Sequence, residues 1–282
     1  DFLFREYHEI VSDIFEVDER VTGNMDRADV TVVCCYNDPK QYRKLTEDLA
    51  RQHYNYTLIG IDNCGKQYSS CAKALNAATA QVKTEYVIYS HQDIELPDAD
   101  MLEKFVNYLL MTQKEDILGV AGAVEDNDRQ AREHTCVLSK VRHGREQVVA
   151  GEREYSGMTG CETVDECFFG GHTEFFLQHP FDEIICDNWH LYGVERCMYT
   201  RAKGNKVYVC DIPLIHTSTG TIGREYNKGF YRVAKCYAKA DKKEGTMSLK
   251  WLRTVCGSSR TDLMHRLLFY WKREILIRLN RY

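Results

Sequence analysis

Two glycine signatures are missing from this chain. No G-x-G-x-x-G follows an apolar run and no G-x-x-x-x-G-K-[ST] occurs anywhere, so the phosphate cradles of dinucleotide dehydrogenases and P-loop enzymes are not encoded. An excess of positive charge is missing too. Lys and Arg number 37 against 42 Asp and Glu, a formal net charge of -5, so no overall basic field exists to gather nucleic-acid phosphates. No apolar run approaches the ~18 residues of a membrane-spanning helix, and no secretory signal is visible. Cys-x-x-Cys is also absent, although the chain carries 12 cysteines. Cys34 and Cys35 are adjacent inside one apolar run and Cys210 lies in another. Such cysteines behave as small buried hydrophobes, which favours reduced thiols in a cytoplasmic protein over a disulfide framework or a zinc site. What is present is an ordinary globular composition, 44% hydrophobic and 28% charged. The length of 282 residues suits one large domain, or one domain with an appendage.

Apolar runs alternate with amphipathic stretches. Val30 to Tyr36 is a continuous run of the kind that forms a strand covered on both faces. Asn37-Asp38-Pro39 closes it and opens a helix, with Asp38 as the cap, Pro39 at the first helical position, and Tyr42, Leu45 and Leu49 on the inner face. Thr57 to Asp62 reads as a second strand, followed by a helix from about Ser69 to Val82. Tyr86 opens a third strand, and after Leu96-Pro97 comes a helix capped by Asp98. The alternation predicts a doubly wound α/β fold with a mostly parallel central sheet flanked by helices. Ligands of such sheets bind beyond the carboxyl ends of the strands. There the chain places Tyr36, Asn37 and Asp38, then Asp62 and Asn63, then His91, Gln92 and Asp93.

Ile117 to Ala123 is a further strand, and residues 125–160 read as a polar, irregular insert or hairpin beside the site. Thr163 to Phe169 resumes the sheet, with Asp165 and Glu166 as carboxylates that need partners or must face a cleft. Asp187 to Gly193 is the densest patch of functional residue types. A helix from Val194 to Lys203 follows and stops at Gly204. Lys206 to Pro213 is a last strand, with His216 just after it. Residues 1–27 read as a peripheral helix, 28–223 as the main domain and 224–282 as a helical extension. The final amphipathic helix, Leu263 to Tyr282, suits packing on the domain or contact with an anionic membrane surface.

Side chains repeat every second residue along an extended backbone, so His91 and Asp93 present an imidazole and a carboxylate on one side. Such a pair can hold a divalent cation, which in turn can hold a diphosphate. Several motifs occur in order with it: Val30 to Asn37, Asp62, Ala74-Leu-Asn-Ala-Ala78, His91-Gln92-Asp93, Asp165-Glu166, Trp189-His190-Leu-Tyr-Gly193 and His216. With them, the segment from about 30 to 220 resembles family 2-type glycosyltransferases of the GT-A fold, in a bacterial branch where His-Gln-Asp replaces Asp-x-Asp. Two departures stand out. His91 occupies a position where an acid is usual, and the Glu-Asp pair that carries the family's usual base is not evident near Trp189.

The resemblance implies a hexosyltransferase-type enzyme in which an acceptor hydroxyl displaces a nucleoside diphosphate from a sugar, with inversion as the expected outcome. Under it, Asp93, with His91 and His216 as further ligands, holds Mn2+ or Mg2+, and two imidazoles favour manganese. Tyr36 stacks on the base, Asn37 contacts ribose or phosphate, and Asp62 accepts the N–H of uracil, which makes UDP the first choice. Asn63 and Gln92 complete the nucleotide site, and Asp165, Glu166 and Trp189 line the sugar or acceptor pocket. His190 is the first choice for the base that takes the acceptor proton, Asp187 the second, and Glu195 either a third or an orienting group. Expected partners are a nucleotide-sugar donor and a glycan, lipid-linked or protein-linked acceptor, with a homodimer and peripheral contact with the inner face of the membrane as further expectations. Two rival readings are a nucleotidyltransferase and a catalytically inactive nucleotide-sugar-binding protein. The first wants a basic, glycine-rich loop after the first strand, which Tyr36-Asn37-Asp38-Pro39 does not supply.

Overall fold

The computed structural model describes residues 15–20, 30–125, 135–218, 225–226, 228–233 and 236–237. Its main sheet has eight strands, in the order β1 (Phe15–Arg20), β3 (Tyr56–Asp62), β2 (Val30–Tyr36), β4 (Tyr86–Ser90), β13 (Phe168–His172), β6 (Ile117–Gly119), β14 (Val207–Cys210) and β11 (Met158–Cys161). A three-stranded sheet joins β12 (Thr163–Val164), β7 (Ala121–Glu125) and β8 (Thr135–Ser139). A four-stranded one joins β10 (Val148–Val149), β9 (Arg142–His143), β15 (Ile215–His216) and β5 (Ile94–Glu95). Five helices connect them: α1 (Pro39–Ala50), α2 (Cys71–Thr79), α3 (Met101–Leu109), α4 (Thr173–Gln178) and α5 (Tyr192–Ala202).

Strand alternation divides the core in two. Val32 and Cys34 of β2, Ile88 of β4 and Phe168 of β13 meet Leu45 and Leu49 of α1 and Phe105 of α3. Their neighbours Val33, Val87, Tyr89 and Phe169 point the other way, onto Ala74, Leu75 and Ala78 of α2, Phe176 of α4, and Tyr192 and Cys197 of α5. Period-two side chains on strands buried on both faces produce this division. Leu45 and Leu49 are fully buried, each contributing roughly 1.5–3 kcal/mol relative to exposure. The helix starts follow local chemistry. Asp38 accepts the N–H groups of Lys40 (2.9 Å) and Gln41 (3.4 Å) with Pro39 beside it, and Ser70 accepts that of Lys73 (3.4 Å). Gly204, at φ +88°, follows the end of α5 as its sequence position suggests.

Several expectations need correction. The sheet is mixed rather than mostly parallel: β3–β2, β2–β4 and β6–β14 are parallel, and the other four pairings are antiparallel. The run Thr163 to Phe169 is not one strand. It breaks at Asp165-Glu166-Cys167 into β12, which pairs with β7, and β13, which enters between β4 and β6 antiparallel to both. Residues 15–20 form a strand rather than part of a helix, since the whole segment pairs antiparallel with β3. Within the insert at 125–160, the described residues from 135 on hold the short strands β8, β9 and β10 and the start of β11. The helix after the functional patch starts at Tyr192 rather than Val194, and the one after Pro97 has Asp100 at its cap position. The amphipathic helix expected at Leu263 to Tyr282 lies outside the described residues.

All eleven described cysteines are free, and among them only Cys64 and Cys236 are exposed, as their apolar settings suggest. Among the described residues no helix is long and apolar enough to cross a membrane.

Gly170 shows how tightly the centre of the sheet is packed. A Cβ there would lie 2.2 Å from the Val87 carbonyl oxygen, and backbone cannot yield as a flexible side chain can. Gly170→Ala is expected to destabilise by about 3 kcal/mol or more. Gly160→Ala, in β11 with nothing within 4 Å, should shift stability by well under 1 kcal/mol. Urea unfolding of the two variants checks the contrast.

Candidate active site

Three elements converge beyond the end of β4. His91 is the first residue past that strand, and its N–H donates to the Cys167 carbonyl at 2.9 Å, beside the start of β13. Asp93 precedes β5. The strand β15 pairs antiparallel with β5, and Thr217 donates both its N–H (3.0 Å) and its hydroxyl (3.2 Å) to the Asp93 carbonyl. That ladder carries His216 to Asp93 across more than a hundred residues of chain.

His216 Nε2 stands 3.3 Å from Asp93 Oδ1, and His91 Nδ1 stands 4.0 Å from the same oxygen. One potential ligand atom from each of His91, Asp93 and His216 lies within 4.8 Å of the other two. Cation bonds of about 2.0–2.5 Å place ligand atoms at most about 5 Å apart, so the spacing fits a divalent ion. The donor set of two imidazoles and a carboxylate fits one as well. A further sign is His216 Nδ1, which is buried with no hydrogen-bond partner.

Electrostatics bind the group together. Burial opposes ionisation of Asp93, yet the His216 hydrogen bond and the charges of His216 and His91 outweigh it and hold the carboxyl well below its usual range. Burial alone would push His216 down, and the hydrogen bond and charge of Asp93 more than offset it. His91 is pushed down by burial and then by His216, so its imidazole is neutral at pH 7.

Around this centre stand groups from three further segments. His143 of β9 is the register partner of His216, its ring centroid 5.1 Å away, and it bonds to the Ser218 backbone. The Ser218 hydroxyl is 3.2 Å from His216 Nε2. Asp165 is exposed, and its charge is felt by both His91 and His216. Desolvation opposes its ionisation, and those two imidazoles, with the Cys167 N–H at 2.9 Å, lower it. Glu166 is half-buried at the start of α5. It accepts the Gly193 N–H at 2.9 Å, and burial followed by the Asp165 charge pushes its carboxyl up to about 8. Leu191, the residue before α5, has a left-handed backbone (φ +69°) and no capping side chain, so Glu166 caps this helix from another segment.

The remaining sequence candidates divide sharply. Asp62 is half-buried at the end of β3, with Oδ1 accepting the Cys64 N–H at 2.7 Å. Gln92 accepts the N–H groups of Asn37 and Asp38, both at 2.9 Å, and donates to the Asn37 side chain, so it fixes the backbone beyond β2. Asn37 itself is exposed. Tyr36 corrects the base-stacking expectation. It is buried and stacked on Tyr42, with centroids 4.0 Å apart and planes at 8°, because the last side chain of β2 falls on the α1 face of the sheet. Asn63 is likewise buried and ties Tyr68 through its N–H (2.8 Å) and carbonyl (3.3 Å), so it shapes a turn rather than offering itself to a nucleotide.

The three base candidates also separate. Asp187 is paired by both oxygens to Arg232, one bond at 2.7 Å. Glu195 is buried, with Tyr237 Oη at 2.6 Å and Arg196 Nη2 at 3.3 Å. Glu195 therefore holds Tyr237 against α5 and Asp187 holds Arg232 beside Ile185, which corrects their reading as available bases. His190 is half-buried, its ring edge-on to Tyr226 at 5.6 Å, and burial lowers its pKa. Its charge is among those that lower the His91 imidazole, after burial and His216. Trp189 is 41% exposed. His143 went unrecognised in the sequence. His143 sits in the segment read as an insert, and only its pairing with β15 discloses it.

A family described as "Glycosyltransferase like family" matches residues 31–239. Among solved structures, GalNAc-T7 with UDP, GalNAc and Mn2+ aligns at TM-score 0.54 and 10% identity, covering 81% of this chain and 56% of that one. The chain thus spans little more than half of that protein's length. S. aureus TarS 1–349 with UDP-GlcNAc aligns at TM-score 0.51 and 11% identity, covering 77% of this chain and 70% of that one. At such identities the likeness establishes the fold, an α/β fold of the GT-A type with a mixed sheet. A search of curated proteins found no match.

Glu166 supplies a test of the electrostatics. A carboxyl whose folded pKa is raised holds its proton longer in the folded chain than in the unfolded one. It therefore subtracts from stability as pH rises from the ordinary carboxylate range toward 8. Glu166→Gln keeps an oxygen for the Gly193 N–H and removes that penalty. The variant should gain on the order of 1 kcal/mol over wild type at pH 8 and almost nothing at pH 5, read from paired thermal melts.

Proposed function

The chain belongs to the glycosyltransferase-like family matched over residues 31–239, and on that premise we propose that it moves a sugar from a nucleoside diphosphate donor to an acceptor hydroxyl. The observation that carries this reading is the meeting of His91, Asp93 and His216 beyond the sheet. A divalent cation bound there would neutralise the charge that develops on the leaving diphosphate. His-Gln-Asp then stands in for Asp-x-Asp, with Asp93 as the anionic ligand and the imidazoles of His91 and His216 completing the set. Two imidazoles favour manganese over magnesium. UDP is the preferred nucleotide, since Asp62 can accept the uracil N–H. GalNAc-T7 with UDP and Mn2+ and TarS with UDP-GlcNAc support both choices by fold likeness.

Gln92 holds the backbone at Asn37 and Asp38 in place beside the nucleotide. Asp165, ionised and exposed, accepts hydrogen bonds from sugar hydroxyls. Trp189 offers its exposed ring to the acceptor. His190 takes the acceptor proton as the hydroxyl attacks the anomeric carbon, and the outcome is inversion. Its lowered pKa keeps the imidazole neutral, hence able to accept a proton, across the neutral range. Glu166, pushed up to about 8, is protonated at pH 7 and serves as a wall of the pocket.

The test is donor hydrolysis and transfer with a panel of nucleotide sugars and Mn2+. Asp93→Asn is expected to abolish metal-dependent nucleotide binding. His190→Ala should lower turnover about 10²–10⁴-fold while leaving donor affinity within a few-fold of wild type. Wild-type turnover in His190→Ala would remove His190 as base. Nucleotide binding with no turnover under any donor would instead mark a binding protein.

A further inference from the structure

We propose that Gln92 is a positioning residue that turns the Asn37 side chain outward as a hydrogen-bond donor, and that this amide binds an oxygen of the nucleotide. The inference rests on the nucleotide-sugar reading above and gives Asn37 a direction that an exposed asparagine lacks by itself. Gln92 stands between two of the candidate cation ligands, His91 and Asp93, so whatever it holds lies beside the place of the diphosphate. What it holds is the chain just beyond β2. Gln92 Oε1 accepts the backbone N–H groups of Asn37 and Asp38, both at 2.9 Å, and Gln92 Nε2 donates to Asn37 Oδ1 at 2.9 Å.

The two ends of a side-chain amide are alike in shape and opposite in what they offer, so their partners decide which is which. A backbone N–H can only donate. Two of them converge on one end of Gln92, and that end is therefore the oxygen. The Gln92 nitrogen is left to face Asn37, and a nitrogen that donates needs an acceptor opposite it. Asn37 answers with its oxygen. Its own Nδ2, with two N–H groups and no partner among the described residues, is thereby directed away from Gln92. An amide locked in this direction suits an acceptor oxygen, of the nucleoside or of the diphosphate, and disfavours an N–H group. It also gives up little freedom on binding, because Gln92 has already fixed both the side chain and the backbone beneath it.

The experiment compares wild type, Asn37→Leu, Gln92→Glu and Gln92→Ala. In the ligand-free protein, NMR exchange of side-chain amide protons with water reports the orientation. Wild type should show a protected Gln92 amide proton and freely exchanging Asn37 amide protons, and the reverse would overturn the proposal. In Gln92→Glu one carboxylate oxygen still accepts both backbone N–H groups while the other faces Asn37. The Asn37 amide should then turn over and its protons become protected. Calorimetry measures the affinity for uridine, and for UDP with Mn2+. Asn37→Leu keeps the shape, loses the donor, and should bind UDP about 10-fold more weakly. Gln92→Glu should lose as much. Gln92→Ala is neutral and lets Asn37 turn either way, so it should fall between. A parallel loss for uridine places the contact on the nucleoside, and a loss for UDP alone places it on the diphosphate. A purely structural clamp predicts wild-type affinity in Gln92→Glu, because both backbone bonds survive, and that result would overturn the proposal. So would wild-type UDP affinity in Asn37→Leu. Wild type that binds no UDP with Mn2+ would instead overturn the nucleotide-sugar reading, whatever the amide exchange shows.

Discussion

The β5–β15 ladder joins two short strands, and the site depends on it. Ile215 and His216 pair with Glu95 and Ile94, and Thr217 extends the contact to the carbonyl of Asp93. Without it His216 would have no reason to stand at Asp93, since nothing local to either residue encodes the other. The ladder also brings His143 alongside through β9. A low-dielectric pocket then holds a carboxylate between imidazoles, an arrangement stable only while the charges answer one another. Asp93 and His216 do so as a pair, at 3.3 Å, and a divalent ion would do so more completely.

A second constraint acts at the start of α5. Leu191 adopts a left-handed backbone and offers no cap, and Glu166 reaches across to accept the Gly193 N–H. A Cβ at residue 193 would lie 2.9 Å from Glu166 Cγ, so glycine there and Glu166 on the neighbouring segment are coupled choices. The same helix start carries Tyr192 to His91. On its far side, Glu195 binds Tyr237, and Asp187 binds Arg232. Carboxylates that look catalytic in sequence thus fasten Arg232 and Tyr237 on either side of the segment that carries Trp189 and His190.

Much of the fold was legible because local signals agreed with each other. The apolar run Val30–Tyr36, the Asp38-Pro39 helix start and Gly204 each declared themselves through a rule that needs only neighbours in sequence. The mixed sheet was not legible. Strand direction depends on where β13 inserts, and a run such as Thr163 to Phe169 reads the same whether it stays whole or breaks at two carboxylates. His91, Asp93 and His216 stood out by residue type and position at strand ends. Tyr36 misled because the end of a strand does not tell which face its last ring falls on, and Tyr42 claims that ring. His143 was invisible, since an isolated histidine acquires meaning only through strand register.

The central claim is that one divalent cation sits among His91, Asp93 and His216 while a nucleotide occupies the end of the sheet. Crystals grown with UDP and Mn2+, with diffraction recorded at the manganese absorption edge, address it directly. The account predicts a single anomalous peak within about 2.5 Å of Asp93 Oδ1 and of a ring nitrogen from each histidine, with the diphosphate on its open side. A bound nucleotide with manganese at other residues, or with none at these three, would contradict it.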